Sequence, residues 1–131
     1  MLADANLKTS VEVGPAPSLI PDHPIDFDQL GAIGQGDSRT MRKHLEVFDL
    51  QTEVLTARMT SEAPRDAAAR AHTLAVTARS VGAWKVAECA TEFERIALGA
   101  PPIVLGPAMY RLSVAVTDVH FAIESFLSHT H

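Results

Sequence analysis

Residues 64–83 read PRDAAARAHTLAVTARSVGA, and this stretch decides the fold class. It opens on Pro64, a good residue for the first turn of a helix, and closes on Gly82. Between them lies an alanine run, Ala67, Ala68, Ala69 and Ala71, the strongest helix former in series. Aromatics make up only 5% of the chain, which argues further against sheet. At about 100° per residue, with His72 set at zero, Ala67, Ala71, Leu74, Ala78 and Val81 fall at roughly 180–260°. They form the expected buried face, and His72 is expected to point away from it.

Working outward, three further amphipathic segments flank this one. Upstream, residues 38–59 carry a stripe of Met41, Leu45, Phe48, Leu55 and Met59, with Asp37 or Ser38 as the cap. Downstream, residues 83–98 carry Val86, Cys89, Ala90, Phe93, Ile96 and Ala97, with Gly99 at the end. Ala100-Pro101-Pro102 breaks helix, and residues 107–128 carry Met109, Leu112, Val116, Val119, Ile123 and Phe126. A short helical turn over 28–33 precedes them, capped by Asp26 and ended by Gly34 and Gly36. Residues 1–24 include Gly14, Pro15, Pro17, Pro21 and Pro24 and show no helical period, so a loose tail is expected there. The expected fold is all-α: an antiparallel up-down four-helix bundle over 25–131 with a short N-terminal helix.

Composition narrows the function classes. The 131 residues suffice for one domain. A net charge of −5 makes nonspecific binding to nucleic acid or anionic membrane unattractive. A single cysteine, Cys89, excludes an internal disulfide and argues against a cysteine-based zinc site. No apolar run is long enough to span a bilayer and no secretory leader pattern opens the chain, so a soluble cytoplasmic protein is expected. Neither a Gly-rich nucleotide loop nor a Glu-x-x-His pair occurs.

The neighbours of His72 on its projected face are Arg65, Ala68, Ala69, Ala75, Val76, Arg79 and Ala83. An ordinary solvent face is rich in Glu, Lys and Gln. This one has small and apolar side chains with an arginine about two turns to either side, which suits close approach by another surface. The bland alternative is that alanines serve helix propensity and His72 is plain surface.

The segment from Ala71 to Ala83 resembles the signature of histidine-containing phosphotransfer (HPt) domains, H-x-L-K-G, five residues and a second G. His72 falls on the phospho-accepting histidine, Leu74 on the leucine and Gly82 on the second glycine. The run Ile25-Asp26-Phe27-Asp28-Gln29-Leu30 is similar to the family's entry segment. The motif lysine is replaced by Ala75 and the first motif glycine by Val76.

The resemblance implies a phosphocarrier without autonomous enzymatic machinery, exchanging a phosphoryl group between His72 and the aspartate of a response-regulator receiver, or taking it from a sensor histidine kinase. It implies no cofactor on this chain and Mg²⁺ on the receiver. An exposed imidazole is available as a neutral nucleophile near physiological pH. Arg79 would contact phosphate. Gln51, level with His72 on the preceding helix, would hydrogen-bond Nδ1. Arg65, Ala68, Ala69, Ala75, Val76 and Ala83 would form the docking face. The alternative is an HPt-like adaptor that binds a receiver or kinase without carrying phosphate, as the replacements at 75 and 76 suggest.

Overall fold

A computed structural model describes residues 23–99 and 104–129. Residues 1–22 of the tail expected over 1–24, and the proline break at 100–102, lie outside the described residues. The fold is all-α, with five helices packed together: α1 Phe27–Gly34, α2 Ser38–Ser61, α3 Pro64–Ser80, α4 Trp84–Gly99 and α5 Leu105–His129. Val104 and Leu105, part of a short apolar run in the sequence, lead into α5. No helix among the described residues is long and apolar enough to cross a membrane.

The helix ends follow their capping residues. Asp26 Oδ1 accepts from the backbone N–H groups of Asp28 and Gln29 at 3.0 and 3.2 Å, satisfying orphan donors at the start of α1. Asp37 accepts from the Arg39 N–H at 3.3 Å and from the Thr40 hydroxyl at 2.6 Å. Pro64 opens α3, where its missing N–H costs nothing.

The end of α3 is a Schellman motif: the Ala83 N–H donates to the Ala78 carbonyl at 2.8 Å and the Gly82 N–H to that of Arg79 at 3.2 Å. Gly82 sits at φ +78°, a conformation that favours glycine. Its carbonyl accepts from the Asp26 N–H at 2.8 Å, and a Cβ there would lie 2.8 Å from the Asp26 carbonyl oxygen. Trp84, opening α4, donates Nε1–H to Asp26 Oδ2 at 3.0 Å. This Trp84 hydrogen bond, helped by the cap, holds the Asp26 carboxyl below the ordinary aspartate range. Asp26 thereby ties the entry of α1 to the α3–α4 turn.

α2 packs on α3 and α5, and α4 packs on α3 and α5, while α1 lies against α2 and α3. Arg42 Nη1 donates to the Leu127 carbonyl at 2.8 Å, and Asp49 meets His120 Nδ1 at 2.9 Å. From 42 to 49 the paired position falls from 127 to 120, so α2 and α5 run antiparallel. Phe48, Phe93, Leu45, Leu74, Leu112 and Ile123 are among the fully buried side chains of the core. The α3–α4 contact is the most extensive in the molecule. Both helices bury small residues: Ala68, Ala71, Ala75 and Ala78 on α3 and Ala87, Ala90 and Ala97 on α4. Alanine lets helix axes approach to the near end of the usual ~8–10 Å range.

Two predictions follow from these contacts. Gly82→Ala adds both a strained left-handed alanine and a clash with Asp26, and should lower unfolding free energy by about 2 kcal/mol or more; denaturant melts check this. The second concerns His120, whose imidazole is bracketed by Asp49 at 2.9 Å and Glu124 at 3.2 Å. The Asp49 hydrogen bond is the main cause that raises its pKa above the ordinary histidine value. A raised folded pKa contributes stability fully below the unfolded value of about 6.5, and the contribution disappears as pH rises through the folded value. Denaturant midpoints of wild type and His120→Gln should therefore differ most below that pH and converge above it.

Candidate functional site

His72 lies at the middle of α3, eight residues before Ser80, and its side chain is 64% exposed. The ring is not loose. Nδ1 lies 3.2 Å from both carboxylate oxygens of Glu94, which projects from α4 and is itself only 27% exposed. A carboxylate only accepts, so Nδ1 is the donor. In the neutral ring Nε2 then carries the lone pair, directed away from the Glu94 contact.

Around the ring is an open groove of about 530 Å³, lined by Arg65, Ala68, Ala69, His72, Thr73, Glu94 and Leu98. Leu98 is an exposed apolar rim, and Val76, one turn after His72, is 53% exposed. Arg65 supplies a cation at this groove. Arg79 is exposed, with its Nη2 donating to Thr91 Oγ1 on α4 at 3.0 Å.

His120 shows by contrast what a structural histidine looks like here. It borders a hollow of about 280 Å³ between α2 and α5. Its Nδ1 is held by Asp49 and its Nε2 lies 3.2 Å from Glu124, so both ring nitrogens are engaged. Cys89 is buried, and burial raises its thiol pKa, consistent with a small core residue. Among the described residues no group of three His, Cys, Asp or Glu side chains comes together to hold a metal ion.

The structure corrects three residues of the expected docking face. Ala68 and Ala75 are 2% exposed and Ala83 is fully buried. The helical projection treats α3 as having one covered side, but α3 is covered by both α2 and α4. Its buried arc therefore widens to about 180–320° on the same wheel and takes in positions 75 and 68. His72 stands at the rim of that arc, not opposite its centre. Ala83 belongs to no face of α3, because the helix ends at Ser80 and Gly82 turns the chain. Arg65, Ala69, Val76 and Arg79 are exposed as expected.

Gln51 is the fourth correction. It is exposed on α2, and the partner of His72 Nδ1 is Glu94. The helix that borders His72 on this side is α4, not α2. Folding α3 back on α4 about the turn near residue 82 puts position 72 opposite about 92, within a turn of Glu94. The signal was present in the sequence, but it required knowing that the rim carrying His72 borders α4.

The distinction between rim and seam is testable. Ala75→Leu overfills the α3–α4 contact and should cost about 1–3 kcal/mol in denaturant melts. Ala69→Leu, on the exposed side of His72, should stay within about 0.5 kcal/mol of wild type.

Compared with protein-family models, with curated proteins and with solved structures, the chain matches none of them.

Proposed function

We propose that this chain is a phosphorelay carrier of the HPt type, with α2–α5 as its antiparallel four-helix bundle and His72 Nε2 as the phosphoryl acceptor. The observation that carries this reading is the His72–Glu94 pair: an imidazole 64% exposed, yet oriented through Nδ1 so that Nε2 meets the solvent. The Nε2 lone pair attacks the phosphorus of a receiver's aspartyl phosphate in line with the departing oxygen. The P–O bond breaks and its electron pair returns to the aspartate carboxylate. Nε2 has no proton to lose. Positive charge grows on the ring, and the Glu94 carboxylate beside Nδ1–H stabilises it. The receiver is expected to bring Mg²⁺, and a partner of this kind would place the chain in the cytoplasm.

Arg65 in the groove supplies positive charge near the transferred group. Ala69, Val76 and Leu98 supply apolar surface for docking.

A second reading has its own support. Val76 rises one turn from His72 with a branched side chain, and position 75, the motif lysine of the family, is an alanine packed inside the protein. Both features suit an adaptor that binds a receiver or kinase and carries no phosphate.

Incubation with a phosphorylated receiver separates the two. The carrier reading predicts acid-labile phosphate on wild type and none on His72→Gln. Glu94→Ala should slow labelling on the order of tenfold, while Gln51→Ala leaves it unchanged. Val76→Ala, which relieves crowding without weakening the helix, should speed labelling several-fold. Receiver binding with no label on wild type would favour the adaptor, and absence of both would contradict either reading.

A further inference from the structure

The contact of α2 with α5 is much less extensive than those of α2 with α3, α3 with α4 or α4 with α5. Polar links cross it from Arg42 to the Leu127 carbonyl and from Asp49 to His120. Beyond His120, toward the end of α2, the two helices stand around the hollow of about 280 Å³. Its lining includes Asp49, Thr52, Glu53, Thr56 and Thr117, so the seam is polar there. Thr52 is 3% exposed, and its hydroxyl meets no hydrogen-bond partner in the protein. The Thr56 hydroxyl, one turn on, instead bonds back to the Thr52 carbonyl at 2.8 Å. A sealed hydroxyl is costly to leave unpaired, and water reaching it removes that cost.

We propose that α2 and α5 part locally to admit water around Thr52, that protonated His120 latches them shut, and that the neutral ring releases them. The latch follows from the donors an imidazole has. Nδ1 lies 2.9 Å from Asp49 across the seam, and Nε2 lies 3.2 Å from Glu124 on its own helix. The protonated ring donates from both nitrogens and satisfies both carboxylates. The neutral ring has one N–H, and either tautomer weakens the link across the seam. With the proton on Nδ1 the ionic attraction to Asp49 is gone, and with the proton on Nε2 Asp49 faces a lone pair. The Arg42 link lies at the other end of the seam, so the opening is confined to the stretch from Asp49 to the end of α2.

The charged groups that face His120 are Asp49 and Glu53 on α2 and Glu124 on α5, all acidic. Together they favour the protonated ring, with the Asp49 hydrogen bond the main cause of its raised pKa. The latch is therefore complete below the ordinary histidine value of about 6.5 and is lost as pH rises through the folded value. Among the described residues none of α3 or α4 lines the hollow, so those helices keep their packing while the seam opens. The inference does not rest on the phosphocarrier reading.

Thiol labelling of the full chain, read by mass spectrometry, tests it. Thr52→Cys places a thiol in the seam, and Cys89, buried on α4, is the internal standard. Both rates are divided at each pH by that of an unfolded reference peptide, which removes the effect of thiol ionisation. Above the His120 transition the introduced thiol should label on the order of tenfold faster than Cys89, and below it the ratio should fall several-fold. Adding His120→Gln should hold the ratio high at every pH. In the unaltered chain, microsecond-to-millisecond exchange at the Thr52 and Val116 methyls should grow over the same pH range while Leu74 stays flat in relaxation dispersion. Equal labelling of the two thiols at every pH overturns the inference, because it means that only global unfolding exposes the seam. So does a ratio with no pH step, or a step that survives His120→Gln. Should Thr52→Cys not fold, flat dispersion at Thr52 and Val116 across the range overturns it alone.

Discussion

The close approach of α3 and α4 through alanine governs the rest of the molecule. Ala68, Ala71, Ala75 and Ala78 on α3 and Ala87, Ala90 and Ala97 on α4 are all buried, in the helix pair whose contact is the most extensive. Close approach sets the rotation of α3: positions 68 and 75 turn inward and His72 arrives at the rim of the seam. It also brings α4 near enough for Glu94 to reach the ring at 3.2 Å. A wider helix pair would leave His72 exposed but unoriented. Exposure alone describes many surface histidines. Exposure together with a fixed ring nitrogen makes this one a credible nucleophile.

The ends of that pair are held by a separate device. Gly82 in its left-handed conformation lets the Asp26 backbone approach, and Asp26 then caps α1 and accepts from Trp84. Gly82, which falls on the second glycine of the signature that this segment resembles, thus shapes the turn. Its contacts are with Asp26 and Gln29 at the end of the helix pair. Of the residues that resemble the signature, Leu74 is buried in the core, Gly82 makes the turn, and His72 is exposed.

The five helices were legible because their ends carry chemistry that only ends require. Asp26, Asp37, Pro64 and Gly82 each mark a boundary for a stated reason, and the observed helices begin and end within about two residues of those marks. The exposure of His72 was legible because leucine and valine define the opposite side of α3. The depth of the groove was not. Alanine is equally at home in a seam and on a surface, so a wheel rich in alanine underdetermines how wide its buried arc is. That ambiguity placed Ala68 and Ala75 outside, and with them it hid α4 as the neighbour of His72. For the same reason the sequence does not single out Glu94 on α4 over Gln51 on α2 as the partner of the ring. The His120–Asp49 pair went unnoticed because it joins residues 71 apart in sequence, and only the register of α2 against α5 brings them together.

The most direct test of the oriented-imidazole account is the tautomer of His72, read from the ¹⁵N shifts of its two ring nitrogens by NMR at mildly alkaline pH, where the ring is neutral. The account predicts a protonated Nδ1 and a bare Nε2, with the populations drifting toward the Nε2–H form ordinarily preferred in water when Glu94 is replaced by alanine. A wild-type ring already in the Nε2–H form would contradict it, because the nitrogen assigned to accept the phosphoryl group would carry a proton and the Glu94 contact would not be orienting the ring.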